Sequence, residues 1–271
     1  MLHDLEGSQA LVFLRDGSAI RRPKKTAAQH VRTKACHVLL SLSHPNLVAI
    51  FHISPDGDMH MERMQISLQR HMLRAHTCSA GAKLAIARHV TSALQYLHLR
   101  DVQHEDLCPN NILLAWQHGE MLVKLCDFYN EQAGCHRTAA YAAPEVVLLP
   151  ARDVTAAADV WALGCCLLFM EGAEPFACFE HSAAIVLDLG QHLCVAFRQR
   201  SVVTPFALRD CAYGPARHIA HSVWADVLAD IFRPAASRPS SHELQQRLHA
   251  LHAPSKPPAG GVLARLDFVH G

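Results

Sequence analysis

A short apolar run, Ala10-Leu-Val-Phe-Leu14, gives way to Arg15-Asp16-Gly17 and then to Ser18-Ala19-Ile20-Arg21, a pattern that predicts a two-stranded hairpin. From Ala27 to Leu42 the apolar positions Val31, Ala35, Val38, Leu39 and Leu42 recur at helical spacing, and His44-Pro45-Asn46 stops the helix. Leu47–Phe51 and Met59–Met64, separated by Pro55-Asp-Gly-Asp58, predict a second hairpin. The pattern then turns helical. Ser67–Arg74 and Ala80–Leu99 are expected helices, the second with a stripe of Leu84, Ala87, Val90, Leu94 and Leu97. Two apolar runs, Ile112–Leu114 and Met121–Leu125, interrupt as strands. Helices are expected again over Asp159–Met170, Ser182–Arg198, Val223–Phe232 and Ser240–Leu251. The Pro- and Gly-rich residues 253–271 read as a flexible tail, and no internal repeat or second domain is evident.

The chemistry gathers where the two interrupting strands begin and end. Val102-Gln-His-Glu-Asp106-Leu-Cys-Pro-Asn-Asn111 places a carboxylate, a rigid proline and an amide at the mouth of the first strand, and Asp127 follows the second. Together they deliver an aspartate, an asparagine and a second aspartate to one place. Asn111 and Asp127 are hard oxygen donors suited to Mg²⁺ held against phosphates, which leaves Asp106 to act as a base. Phosphoryl transfer needs such a set.

These residues resemble the catalytic loop (His104-Glu105-Asp106-Leu107-Cys108-Pro109-Asn110-Asn111) and metal-binding turn (Asp127-Phe128) of the eukaryotic protein kinases. Further motifs follow in the family's order. Thr138-Ala-Ala-Tyr-Ala-Ala-Pro-Glu145 is similar to its Thr-x-x-Tyr-x-Ala-Pro-Glu, Asp159-Val-Trp-Ala-Leu-Gly164 to its buried helix start, and Arg238 to the arginine that pairs with Glu145. The resemblance implies an α+β, bilobal fold over residues 1–252: a small antiparallel β-lobe with one helix to about residue 63, and a larger, mainly helical lobe from 64 to 252. It also implies an ATP- and Mg²⁺-dependent transfer to serine or threonine of a protein substrate. Asp106, Asn111 and Asp127 would be catalytic, and Asn111 and Asp127 would hold the metal. Arg21, Ala19, Met61, Glu62, Met64 and Leu113 would contact the nucleotide. Thr138 lies where the serine/threonine members place a threonine beside the catalytic aspartate. Leu39, Ile50, His104 and Phe128 fall where the family stacks an apolar column on Asp159.

Several positions depart from the pattern. Gly7 is the only glycine before the first expected strand, where a glycine-rich phosphate loop belongs. Arg21, or a nearby lysine such as Lys24, takes the place of the strand lysine, and an arginine fork is not equivalent to an ammonium. Ala35 stands at the helix glutamate that would pair with it, and Glu62 is not easily placed to replace that glutamate. Glu105 replaces an arginine that binds a phosphorylated activation loop, which argues against that mode of activation. Cys108 replaces the loop lysine, and Tyr129 the glycine of the metal-binding turn. The alternative is therefore a pseudokinase, a binding or allosteric module on the same fold. Kinases encoded by herpesviruses loosen the catalytic loop in a similar way, so a viral origin is one open reading.

Composition narrows the setting. Half of the 271 residues are apolar and the net charge is +1, which gives no reason to expect nucleic acid or a membrane surface as partner. ATP and a protein substrate or partner are the expected ligands. No apolar stretch approaches the ~18 residues of a membrane span. Ten scattered cysteines without Cys-x-x-Cys and a polar N-terminus suggest reduced thiols inside the cell, in cytoplasm or nucleus, or in a host cell if the origin is viral. The 21 histidines are dispersed and suggest no zinc site.

Overall fold

Gly17 sits at φ 74°, the left-handed conformation a tight strand-to-strand turn asks of glycine, and β2 (Ala10–Arg15) and β3 (Ser18–Pro23) close around it as an antiparallel hairpin. This is a computed structural model of the chain. It describes residues 4–6, 10–15, 17–23, 33–75, 78–128, 139–143, 145–146, 155–175, 208–210 and 224–252. A short β1 (Asp4–Glu6), not foreseen from the sequence, pairs with β2. Three polar-flanked residues are too few to show a period. The helix expected over 27–42 is described as α1 (Thr33–Ser41). β4 (Ile50–Ile53) and β5 (Met59–Glu62) complete an antiparallel sheet in the order β1-β2-β3-β5-β4.

The expected strand at Leu47–Phe51 begins three residues late, and the reason is a competing partner. Leu47 bridges Leu125, Val48 N–H donates to Leu125 O (2.9 Å), and Leu125 N–H donates to Asn46 O (2.8 Å). The apolar run is thus split between two sheets. Its first residues pin the sheet just described to the second, smaller one, which comprises β6 (Ile66–Ser67), β7 (Ile112–Gln117) and β8 (Glu120–Leu125).

Helices dominate the rest. α2 (Leu68–Ala75) leads to α3 (Ala80–His98), started by Ser79, whose hydroxyl accepts from Ala82 N–H. The stripe read from the sequence, Leu84, Ala87, Val90, Leu94 and Leu97, is buried as expected. Apart from Asp159, α4 (Ala156–Met170) is apolar around its circumference, and all its residues from Ala158 onward are buried, as befits a helix at the centre of the core. α5 (Ala225–Ile231) packs against it, and α6 (Ser241–Ala250), which opens on a reciprocal Ser240–Glu243 capping box, packs against α3. Arg88 on α3 donates to the carbonyls of Leu248, His249 and Leu251 at the other end of α6, fixing the two helices together. β9 (Ala173–Pro175) and β10 (Leu208–Asp210), also unforeseen, form a small antiparallel pair. The sheet-plus-helix start and helical remainder make the α+β, two-lobed architecture expected. The expected helix at 182–198, the 253–271 tail, Tyr129 and Thr138 lie outside the described residues.

Gly164 shows how closely these helices approach. A Cβ there would lie 2.5 Å from Ile231 Cγ2 and 3.2 Å from the Phe232 ring. Gly164→Ala is expected to lower stability by about 1–3 kcal/mol, the usual cost of overpacking a core, as read by urea denaturation. A variant as stable as the parent would show that α4 and α5 can separate at no cost. Among the described residues, no helix is long and apolar enough to cross a membrane.

Candidate active site

Strand periodicity puts Ala19 and Arg21 on one face of β3, and the register of the neighbouring strand extends that face. Ala19 pairs with Met61 and Arg21 with Met59 on β5. Across from them, Leu113 and Ala115 share a face of β7, with Lys124 and Leu122 as their partners on β8. Ala19, Val48, Met61, Met64, Ala115 and Cys126 are buried together, with Val12, Leu14, Met59, Leu113 and Leu122 packed against them. Four residues expected at the nucleotide, Ala19, Met61, Met64 and Leu113, thus meet in one apolar layer between the two sheets. Val12 and Cys126 join it without having been singled out. The apolar character of β2 was the available signal for Val12.

Glu62, the fifth, faces a different task. Its Oε2 binds Lys124 Nζ at 2.7 Å and accepts from Ala49 N–H at 3.2 Å, while its own N–H donates to Ala49 O. This ties the end of β5 to β8 and explains why Glu62 does not replace the missing helix carboxylate. Lys124 was missed in the sequence because a single lysine in an apolar strand reads as a solvent-facing position.

Arg21 is no surface arginine. Its side chain is only 18% exposed, and Nε lies 2.9 Å from Asp127 Oδ1. Asp127 itself adopts φ 57°, a left-handed conformation uncommon outside glycine.

The catalytic-loop residues are positioned by backbone bonds. Asn111 N–H donates to Cys108 O (2.9 Å), and Asn111 O accepts from Cys126 N–H (3.0 Å), so the loop is latched to the turn carrying Asp127. Asn111 Nδ2 donates to Asp106 O (2.8 Å), with a longer approach to Asp106 Oδ2 (3.4 Å). The amide nitrogen is spent inside the loop, leaving Oδ1 as the oxygen Asn111 can offer a cation. Asn111 Oδ1 and Asp127 carboxylate oxygens are therefore a donor set that fits a hard divalent ion.

Below the loop, Asp159 is 2% exposed and accepts from His104 N–H (2.8 Å), Glu105 N–H (3.0 Å) and His98 Nε2 (2.8 Å). Burial alone would raise its pKa, but the bond and charge of His98, with the His104 backbone, outweigh burial and hold the carboxyl below its usual value. His98 in turn meets Ser241 Oγ at 2.9 Å. The His104 ring is fully buried, which lowers its pKa even though Asp159, Asp106 and Asp127 all lie close enough to oppose the shift. That ring stands edge-on to Phe128, with centroids 6.5 Å apart. Leu39 and Phe128 are buried in one large core cluster and Ile50 packs against that cluster, so of the expected column the His104–Phe128 contact is the part seen directly.

Burial also lowers the pKa of His44, His71 and His89. A histidine kept neutral in the fold but free to protonate at about 6.5 when unfolded binds more protons in the unfolded chain, so stability falls as pH drops below that value. The Asp159 contribution has the same sign at lower pH. It is present above the unfolded carboxylate value and is lost as pH falls through the depressed folded value. Thermal midpoints are expected to be flat between about pH 7 and 8 and to decline steadily from about 6.5 downward, with His104 alone adding up to about 1.4 kcal/mol per pH unit. His104→Phe should shallow that decline, whereas an unchanged slope would show that His104 is not the buried titrating group.

Glu145 and Arg238 form a two-pronged ion pair, with Arg238 Nη2 2.8 Å from Glu145 Oε2 and Nη1 on Oε1. Arg238 also donates to Arg233 O (2.7 Å) and Ala157 O (3.0 Å) and lies 4.8 Å over the Trp161 ring. This fastens the segment around Tyr141 and Glu145 beside the catalytic loop. A small cleft remains between them, lined by Asp106, Leu107, Tyr141, Ala143 and Val146 among others. Burial raises the thiol pKa of Cys126, Cys165 and Cys166, so they stay protonated and pack as small apolar groups.

Against this geometry, the protein kinase domain model matches residues 18–208, more than half of the chain. The chain belongs to the protein kinase family. It is 31% identical over 203 residues to the serine/threonine-protein kinase PknJ of Mycobacterium tuberculosis, covering 68% of this chain and 33% of that relative. The serine/threonine-protein kinase fused of Drosophila melanogaster is 31% identical over 156 residues, 53% of this chain and 19% of the relative. The chain thus spans about a third or less of the length of these kinases. The crystal structure of the Mycobacterium tuberculosis PknI kinase domain superposes with a TM-score of 0.63 at 19% identity, covering 92% of this chain and 93% of that one. At that identity the match speaks for the fold.

Proposed function

We propose that this kinase domain transfers the γ-phosphate of ATP to serine or threonine of a protein inside the cell. The observation that carries the reading is the joint placement of Asp106, Asn111 and Asp127. The loop bearing the first two is bonded to the turn bearing the third and rests on Asp159 through the N–H groups of His104 and Glu105. The apolar layer of Ala19, Met61, Met64 and Leu113 would take the adenine ring, with backbone groups at Glu62–Met64 bonding its edge. Asn111 and Asp127 would hold Mg²⁺, whose role when bound is to neutralise phosphate charge. Asp106 would orient the acceptor hydroxyl and take its proton, and it lines a small cleft together with Tyr141 and Ala143.

One observation favours a second reading, a pseudokinase acting as a binding or allosteric module. Arg21 is engaged with Asp127, while Ala35 and Cys108 supply neither the helix carboxylate nor the loop cation. Each electrostatic group missing from a preorganised site can cost ~10²-fold in rate. Incubation with γ-labelled ATP, Mg²⁺ and a mixed protein acceptor, followed by phosphoamino-acid analysis, separates the two. Label on serine or threonine supports the kinase. Label on tyrosine alone contradicts the acceptor class, and no label with intact nucleotide binding favours the module.

A further inference from the structure

The carboxylate that would hold the metal is already bonded to a permanent cation. Arg21 Nε lies 2.9 Å from Asp127 Oδ1, a charge-assisted hydrogen bond between side chains 18% and 32% exposed. Two other carboxylates of the region have partners of their own. Glu62 is held by Lys124 at 2.7 Å, Asp159 faces His98 and two backbone N–H groups, and α1 carries an alanine at position 35. Arg21 is fixed in direction too, since it shares the cleft face of β3 with the buried Ala19 and sits in register with Met59.

Resting on the nucleotide reading above, we propose that Arg21 and a divalent cation compete for Asp127, so that the nucleotide's phosphates bind to Arg21 without metal and the metal enters only by displacing it. A guanidinium keeps its charge at every working pH and offers five N–H donors in a planar fork. With Nε on Asp127, the terminal nitrogens have the geometry that pairs with phosphate oxygens. A hard cation seeking the same carboxylate meets a fixed positive charge beside it, which an ammonium on a flexible stem could avoid by swinging aside. The arginine thus changes the order of events. Phosphates arrive first, and metal is a later, weaker guest.

The test is fluorescence titration of the whole chain with trinitrophenyl-ATP, in excess chelator and in millimolar Mg²⁺, for wild type, Arg21→Lys and Arg21→Met, with circular dichroism to confirm folding. Wild type is expected to bind equally well in both conditions. Arg21→Met should lose about tenfold or more of its affinity in chelator, the worth of a charged hydrogen bond, and recover it with Mg²⁺. Arg21→Lys should bind more tightly with metal than without. Wild-type binding that requires Mg²⁺, or Arg21→Met binding undiminished in chelator, overturns the inference while leaving the nucleotide reading intact. Absence of binding by all three proteins in both conditions overturns both. Wild type alone decides the metal dependence should a variant fail to fold.

Discussion

Asp106→Asn is expected to lower phosphoryl transfer by about 10²-fold or more while leaving nucleotide affinity nearly unchanged. The substitution keeps the size and hydrogen-bonding shape of the side chain but removes the group able to accept the acceptor's proton. The main bond that Asn111 makes in this loop is to the Asp106 backbone oxygen at 2.8 Å, and it survives the change. The fold support from Asp159 acts on the N–H groups of His104 and Glu105 and is likewise untouched. The loss should therefore appear in turnover with the binding constant and thermal midpoint preserved. A parallel loss of nucleotide affinity would show that Asp106 holds the loop rather than the proton.

Asp159→Ala carries the largest expected effect on stability, about 3–5 kcal/mol. The site is 2% exposed, and removing the carboxylate strands two backbone N–H groups and the His98 ring without their acceptor. Each buried donor left unmade costs roughly 1–3 kcal/mol, and no water reaches so enclosed a position cheaply. Asp159→Asn, which retains one acceptor oxygen, should lose less. Urea midpoints of the two variants measure the difference. A loss under about 1 kcal/mol in the alanine variant would mean that the catalytic loop is held by something other than this carboxylate.

The parts of this site legible in the sequence are those written in consecutive residues. Asp106, Asn111 and Asp127 announce themselves through their own loops. Glu145 and Arg238, distant in sequence, were paired by resemblance and do form the expected ion pair. What stayed hidden depends on which segments meet. Apolar character at Leu47 and Val48 could not tell that these residues would bond to β8 rather than extend β4. Arg21 and Asp127, or Glu62 and Lys124, are ordinary charges until two sheets face each other. β1 and the β9–β10 pair are three-residue strands, set by their partners rather than by any period of their own. His98 reads as one more histidine near a helix end. Its role follows only from the position of Asp159 beneath the catalytic loop.

The central claim, that these residues form a phosphotransferase site, is tested most directly by transfer from γ-labelled ATP to a protein acceptor, with wild type and Asp127→Asn measured side by side in Mg²⁺. Asp127 supplies the charged oxygen of the metal's donor set, and its replacement should reduce serine and threonine labelling to the no-enzyme background. Labelling by wild type that disappears in Asp127→Asn is the result expected here. Labelling equal in the two proteins, or none by a wild-type protein that binds nucleotide, would contradict it.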